Sequence, residues 1–173
     1  MTLAALLPAG LLEGPPASAA EPASPGRLPA ANPLHRYIGS WRGEVTVEAG
    51  SAKPTTYTQE NRFAWTLGGV FLEERGSGSD GSSFVGLWAF DAKTGKYLAH
   101  YFLAPAGDVV ALHEDWVEAK QSFVGTAELG SGVRMLTEDR FTSADAYEWS
   151  VTIQDAKGAM LTRMRGRERR VRR

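Results

Sequence analysis

From Trp41 to the end of the chain, apolar and polar residues alternate singly, and short clusters of turn-forming residues interrupt the alternation at regular intervals. A period of two is the signature of a strand with one face buried, and it leaves little room for helical architecture. Trp41, Gly43, Val45 and Val47 alternate with Arg42, Glu44, Thr46 and Glu48, and Tyr147, Trp149, Val151 and Ile153 alternate with Glu148, Ser150, Thr152 and Gln154. Asp80-Gly81, the run from Asp91 to Gly95, Gly130-Ser131-Gly132 and the run from Asp155 to Gly158 are the turn signals between segments. The strands expected on this basis cover 41–49, 55–65, 69–76, 83–90, 96–103, 109–117, 122–128, 133–141, 147–154 and 159–169. So many short antiparallel strands leave exposed edges unless the sheet closes on itself. The expected fold is therefore mainly β, a single antiparallel barrel of about eight to ten strands.

One helical segment is expected. Asn32 is a cap residue, Pro33 suits the first helical position, and Leu34, Tyr37 and Ile38 share one face before Gly39. A turn this short can plug one mouth of a barrel. The first 33 residues are of a different composition. Leu3 to Leu12 is a short apolar run and Ala17-Ser18-Ala19-Ala20 supplies small residues, so 1–20 reads as a signal peptide and the protein as periplasmic or secreted. That run is too short to span a bilayer. Residues 21–33 read as a Pro/Ala-rich linker, and 34–173 as the barrel domain.

The segment His35-Arg36-Tyr37-Ile38-Gly39-Ser40-Trp41-Arg42-Gly43-Glu44-Val45 resembles the opening of the bacterial domain of unknown function 1579 family. Leu67-Gly68-Gly69 is similar to that family's Leu-Gly-Gly segment, and Gly86-Leu87-Trp88-Ala89-Phe90-Asp91 to its hairpin. The Gly-x-Trp start is shared with the wider lipocalin and calycin group. The resemblance implies a lipocalin-like barrel in which an Arg or Lys near the last strand packs over the Trp, with Arg163, Arg165 and Arg167 as candidates. It implies no activity.

A lipocalin-like barrel is wide enough to hold a small apolar or amphipathic molecule. Trp65, Phe71, Trp88, Tyr147 and Trp149 are the expected ligand-binding wall residues. Glu73, which shares a face with Phe71, is the expected pocket carboxylate, with Arg62, Arg75 or Arg140 as partner. Against this stands a packed, non-binding barrel that meets partners through its aromatic outer face or Arg-rich edge. An enzyme using a pocket carboxylate is the third reading. No nucleophile elbow, P-loop, dinucleotide fingerprint or zinc motif is present, and the chain has no Cys, so catalysis and cofactors have little support. In His113-Glu114-Asp115, His113 and Glu114 face opposite ways on a strand; His113 and Asp115 share a face that His100 on a nearby strand could join, but the spacing of a metal motif is absent, so no metal is expected. Haem held by a His near the C-terminus is disfavoured, because no His follows Asp155.

A net charge of -1 calls for no strongly charged partner, and nucleic acid is not expected. The tail from Arg163 to Arg173 carries seven Arg against one Glu and reads as a solvated barrel edge. Gly76 to Ser83 reads as a hairpin tip that covers the barrel mouth. Both faces of 84–90 and 97–103 are apolar, so something should cover the outside: the helix, the linker, or a second copy in a homodimer through the 84–103 hairpin.

Overall fold

The computed structural model describes residues 32–172, so the expectations for residues 1–20 and most of 21–33 lie outside the described residues. A 3-10 turn, Pro33–Tyr37, precedes ten strands: β1 (Gly39–Ala49), β2 (Thr55–Thr66), β3 (Phe71–Gly78), β4 (Ser83–Asp91), β5 (Lys96–Ala104), β6 (Asp108–Val117), β7 (Ser122–Glu128), β8 (Arg134–Ser143), β9 (Ala146–Gln154) and β10 (Met160–Arg170). Each strand pairs antiparallel with its neighbours in sequence, and β10 pairs with β1 to close the barrel. Every expected strand is present within two residues at each end, because the turn residues set the boundaries. In the β9–β10 turn, for example, Asp155 Oδ1 accepts from the amides of Lys157 and Ala159, each at 2.8 Å.

The hairpin tip after β3 is shorter than its composition suggested. Gly76, Ser77 and Gly78 belong to the strand, leaving residues 79–82 as the loop. Gly76 faces inward, and a Cβ there would lie 2.2 Å from the Phe84 ring. The expected eight-residue cover over the mouth is therefore largely sheet.

The 3-10 turn plugs one end of the barrel. Asn32 Oδ1 caps it by accepting from the Leu34 amide at 3.0 Å. Leu34 and Tyr37 are completely buried and join Trp41, Phe63, Leu72, Trp88, Phe123, Phe141 and Tyr147 in one aromatic core. Burying each of these large side chains is worth ~1.5–3 kcal/mol. The Tyr37 ring stacks on Phe63 at 4.8 Å and meets Tyr147 edge-on at 5.5 Å. Because the turn sits inside the mouth, it does not cover the outer face of β4 and β5, where Phe102 is 47% exposed.

At the opposite end Val47, Tyr57, Phe84, Leu103, Val151, Ile153 and Met164 follow the inward parity of their strands and are half-buried, while Val110, Leu112, Ala127 and Met135 on β6, β7 and β8 are buried in the core.

A candidate ligand site inside the barrel

All five Trp residues follow the inward parity of their strands, and the structure brings together Trp65, Trp88, Tyr147 and Trp149 on the interior as expected. Trp88 and Tyr147 belong to the plugged core, Trp65 donates to His35 Nδ1 at 3.2 Å near the plug, and Trp149 lines the middle. Phe71 and Glu73 are different. On β3 it is Leu72, Glu74 and Gly76 that are buried, so Phe71 and Glu73 point outward. The Glu73 partner is Arg75, paired at 2.6 Å on the outer face. Leu72 lies opposite Trp65 on β2 and Trp88 on β4, both inward-facing, and this register fixes the parity of β3.

The carboxylate expected at Glu73 is replaced by four others. Glu74 on β3, Glu114 on β6, Asp139 on β8 and Glu168 on β10 all face the interior between the aromatic plug and the half-buried residues of the opposite end. Glu74, Glu114 and Glu168 are buried, with relative exposures of 5%, 3% and 1%. Each carboxylate has a neutral donor. Tyr101 donates to Glu74 at 2.9 Å, Tyr37 to Asp139 at 2.7 Å, Thr137 to Glu114 at 3.2 Å and Trp149 to Glu168 at 3.4 Å. None of the ion pairs among the described residues involves any of the four.

Burial raises the pKa of every member, and the Asp139 charge adds to it in the other three. Burial, reinforced by the Asp139 and Glu168 charges, pushes Glu74 up to about 8 against the Tyr101 hydrogen bond. Burial lifts Asp139 to about 6 and, with the Asp139 charge, Glu168 to about 7. Glu114 is held well above its ordinary range by burial and by Asp139.

Inward glycines make room for this belt. A Cβ on Gly43 would lie 2.7 Å from the Glu168 carboxyl carbon, and one on Gly125 would lie 2.5 Å from Glu114 Cγ. One on Gly166 would lie 2.2 Å from Trp149 Nε1, and one on Gly86 would lie 2.8 Å from the Tyr101 ring. Each of these side chains belongs to the residue directly opposite the glycine on the next strand, so it lies along the wall instead of across the lumen.

Two buried carboxylate oxygens of this region, Glu114 Oε2 and Glu168 Oε2, have no hydrogen-bond partner, whereas Trp88 lies beside Glu74 and Asn61 beside Tyr147. Leaving such atoms unmatched costs about 1–3 kcal/mol each. Glu114, Asp139 and Glu168 were legible as inward residues. Val110-Leu112-Glu114-Trp116, Met135-Thr137-Asp139-Phe141 and Met164-Gly166-Glu168 each keep strict alternation, which outweighs the charge of the single polar member.

His100, His113 and Asp115 are exposed on the outer face, with Asp115 paired to Lys96 at 2.8 Å. No group of His, Asp and Glu suited to a metal ion occurs among the described residues. An outer groove of about 450 Å³ runs past Glu44, Glu148, Arg140, Arg165 and Arg167. Arg140 and Arg167 both pair with Glu148, and Arg165 with Glu48, so its cations are already matched.

Closed ten-stranded topology, a plugged end and a polar lumen define a lipocalin-like barrel. Solved structures agree at the level of fold. Rv2717c from M. tuberculosis superimposes with a TM-score of 0.66 over 84% of this chain and 99% of that one, at 17% identity. The S-type phycobiliprotein lyase CPES from Guillardia theta gives 0.55 over 86% and 96%, at 14% identity. A DUF3598 protein of unknown function from Nostoc punctiforme gives 0.57 at 12% identity over 80% of this chain, which spans about half (49%) of that protein. No protein-family model and no curated protein matches the chain. Its likeness to known proteins therefore lies in the barrel, and the DUF1579 resemblance rests on the motif residues alone.

Proposed function

We propose that this protein binds a small amphipathic molecule in the lumen between the aromatic plug and the half-buried opposite end. One observation carries the reading. Carboxylate oxygens of Glu114 and Glu168 are buried in the barrel interior without partners, where a structural core would pair or replace them. The half-buried apolar residues of the opposite end provide entry for the nonpolar part of such a ligand. A phycobiliprotein lyase built on the same frame is in keeping with this reading. Export and membership of the DUF1579 family remain part of it, on the strength of residues 1–20 and of the Gly39–Trp41 and Leu67–Gly69 motifs.

The test is titration with N-phenyl-1-naphthylamine, a neutral probe that fluoresces in apolar surroundings. Saturation at one probe per chain, lost when Val151→Trp blocks the half-buried end, supports lumen binding. Near-ultraviolet circular dichroism verifies that the variant is folded. Absence of saturable binding, or binding unchanged in the folded variant, overturns it.

A second reading is favoured by the Glu74–Tyr101 pair. A carboxylic acid that holds its proton near neutrality beside a phenol is equipped for proton transfer. Turnover of a carbonyl compound with an acidic α-proton, lost in Glu74→Gln, is its test.

A further inference from the structure

The acid belt specifies the ligand's chemistry, on the premise that the lumen is a binding site. We infer that the molecule bound in the barrel carries a protonated nitrogen, an ammonium or amidinium group, which sits among Glu74, Glu114, Asp139 and Glu168 while its apolar part extends toward the half-buried end. Two independent observations point this way. The first is the composition of the lining. The titratable side chains that face the belt from the surrounding strands are acids and phenols: the four carboxyls, Tyr57 on β2, Tyr97 and Tyr101 on β5 and Tyr147 on β9, with Tyr37 from the plug. The cations nearest the plugged end are committed elsewhere. Arg170 stands over Trp41 and Arg36 over Phe141, at 4.2 and 4.4 Å from the ring centroids.

The second observation is the pair of orphaned acceptors. Glu114 and Glu168 each satisfy one oxygen with a wall donor and leave the other, Oε2, buried and unmatched. Glu168 Oε2 packs over Gly43 on the wall, 2.7 Å from where a Cβ would stand, and neither oxygen has a donor in the wall. A neutral hydroxyl could fill one of them. An ammonium group offers three donors and also relieves the repulsion among the four carboxyls. An anionic ligand would meet the ionised members of the belt with no cation beside it.

Binding would also be linked to protons. The belt is held partly protonated near neutrality, and a cation favours its ionised form, so affinity should rise as pH increases from 6 to 8.

The experiment compares dansylcadaverine, which ends in a primary ammonium, with its N-acetyl derivative, which has the same fluorophore and no charge. The expected result is saturable binding of the amine about ten- to a hundredfold tighter than the amide, the range of a charge-assisted hydrogen bond. The preference should fall sharply in Glu168→Gln and in Glu114→Gln, which keep shape and remove charge. If Glu114→Gln does not fold, Glu168→Gln and the pH dependence of the wild-type preference carry the test. Equal binding of amine and amide overturns the cation inference while leaving lumen binding intact. A preference that survives in the folded variants places the cation elsewhere and also overturns it. Failure of both probes to bind removes this inference together with the proposed function.

Discussion

Arg170 and Trp41 are directly paired across β10 and β1, and the guanidinium carbon lies 4.2 Å from the Trp41 ring centroid. The same guanidinium donates to the backbone carbonyls of Ile38, Arg36 and Ala144, and Trp41 Nε1 donates to the Tyr37 carbonyl at 2.6 Å. One side chain thus ties the first strand, the last strand and the plug together. The basic residue expected over the Trp is Arg170, and not Arg163, Arg165 or Arg167, which alternate outward on β10. Arg170→Ala should cost about 2–4 kcal/mol in urea unfolding, since it removes a cation–π contact and leaves plug carbonyls unmatched. Arg170→Lys should recover only part, because an ammonium lacks the planar fork. Arg163→Ala should stay within about 0.5 kcal/mol.

Stability should fall as pH rises through the neutral range. The folded state raises the carboxyls of Glu74, Asp139 and Glu168 to about 8, 6 and 7, so between their ordinary values and these the folded chain binds more protons than the unfolded one. Their contribution is fully present below the unfolded values near 4 and is lost as pH climbs through 6 to 8. Each group costs about 1.4 kcal/mol per pH unit within its window. Thermal melts should show a lower Tm at pH 8 than at pH 5. A Tm that rises over this interval would contradict the buried acid belt.

Adjacent glutamates on β3 should behave oppositely. Glu74→Gln removes a carboxyl raised to about 8 and should flatten the pH profile, raising Tm at pH 8. Glu73→Gln affects an outer-face pair with Arg75, whose side chain is 63% exposed, and should change stability by less than about 1 kcal/mol with the profile unaltered.

The glycines opposite the belt are constrained by what lies on them. A Cβ at Gly43 would sit 2.2 Å from the Arg167 carbonyl oxygen, a backbone atom, whereas at Gly86 the nearest obstacle is the Tyr101 ring at 2.8 Å. Gly43→Ala should therefore destabilise by about 1–3 kcal/mol or more, and Gly86→Ala by less, as measured by denaturant midpoint.

The sequence by itself determined the ten strands and their turns, because alternation and turn chemistry are local and each hairpin joins neighbours in the chain. It also determined the plug, through Asn32, Pro33 and the apolar face of Leu34 and Tyr37. It did not determine which way β3 faces. In Phe71-Leu72-Glu73-Glu74 either parity gives an apolar residue followed by Glu, and a one-residue shift exchanges the two faces. Only pairing with the inward-facing Trp65 and Trp88 chose Leu72 and Glu74. Tertiary structure likewise created the acid belt. Glu74, Glu114, Asp139 and Glu168 are far apart in the chain, and closure of the barrel puts them in one low-dielectric space where burial raises all four and the Asp139 charge raises the other three further. Their burial, mutual repulsion and unmatched oxygens arise only once β10 has closed against β1.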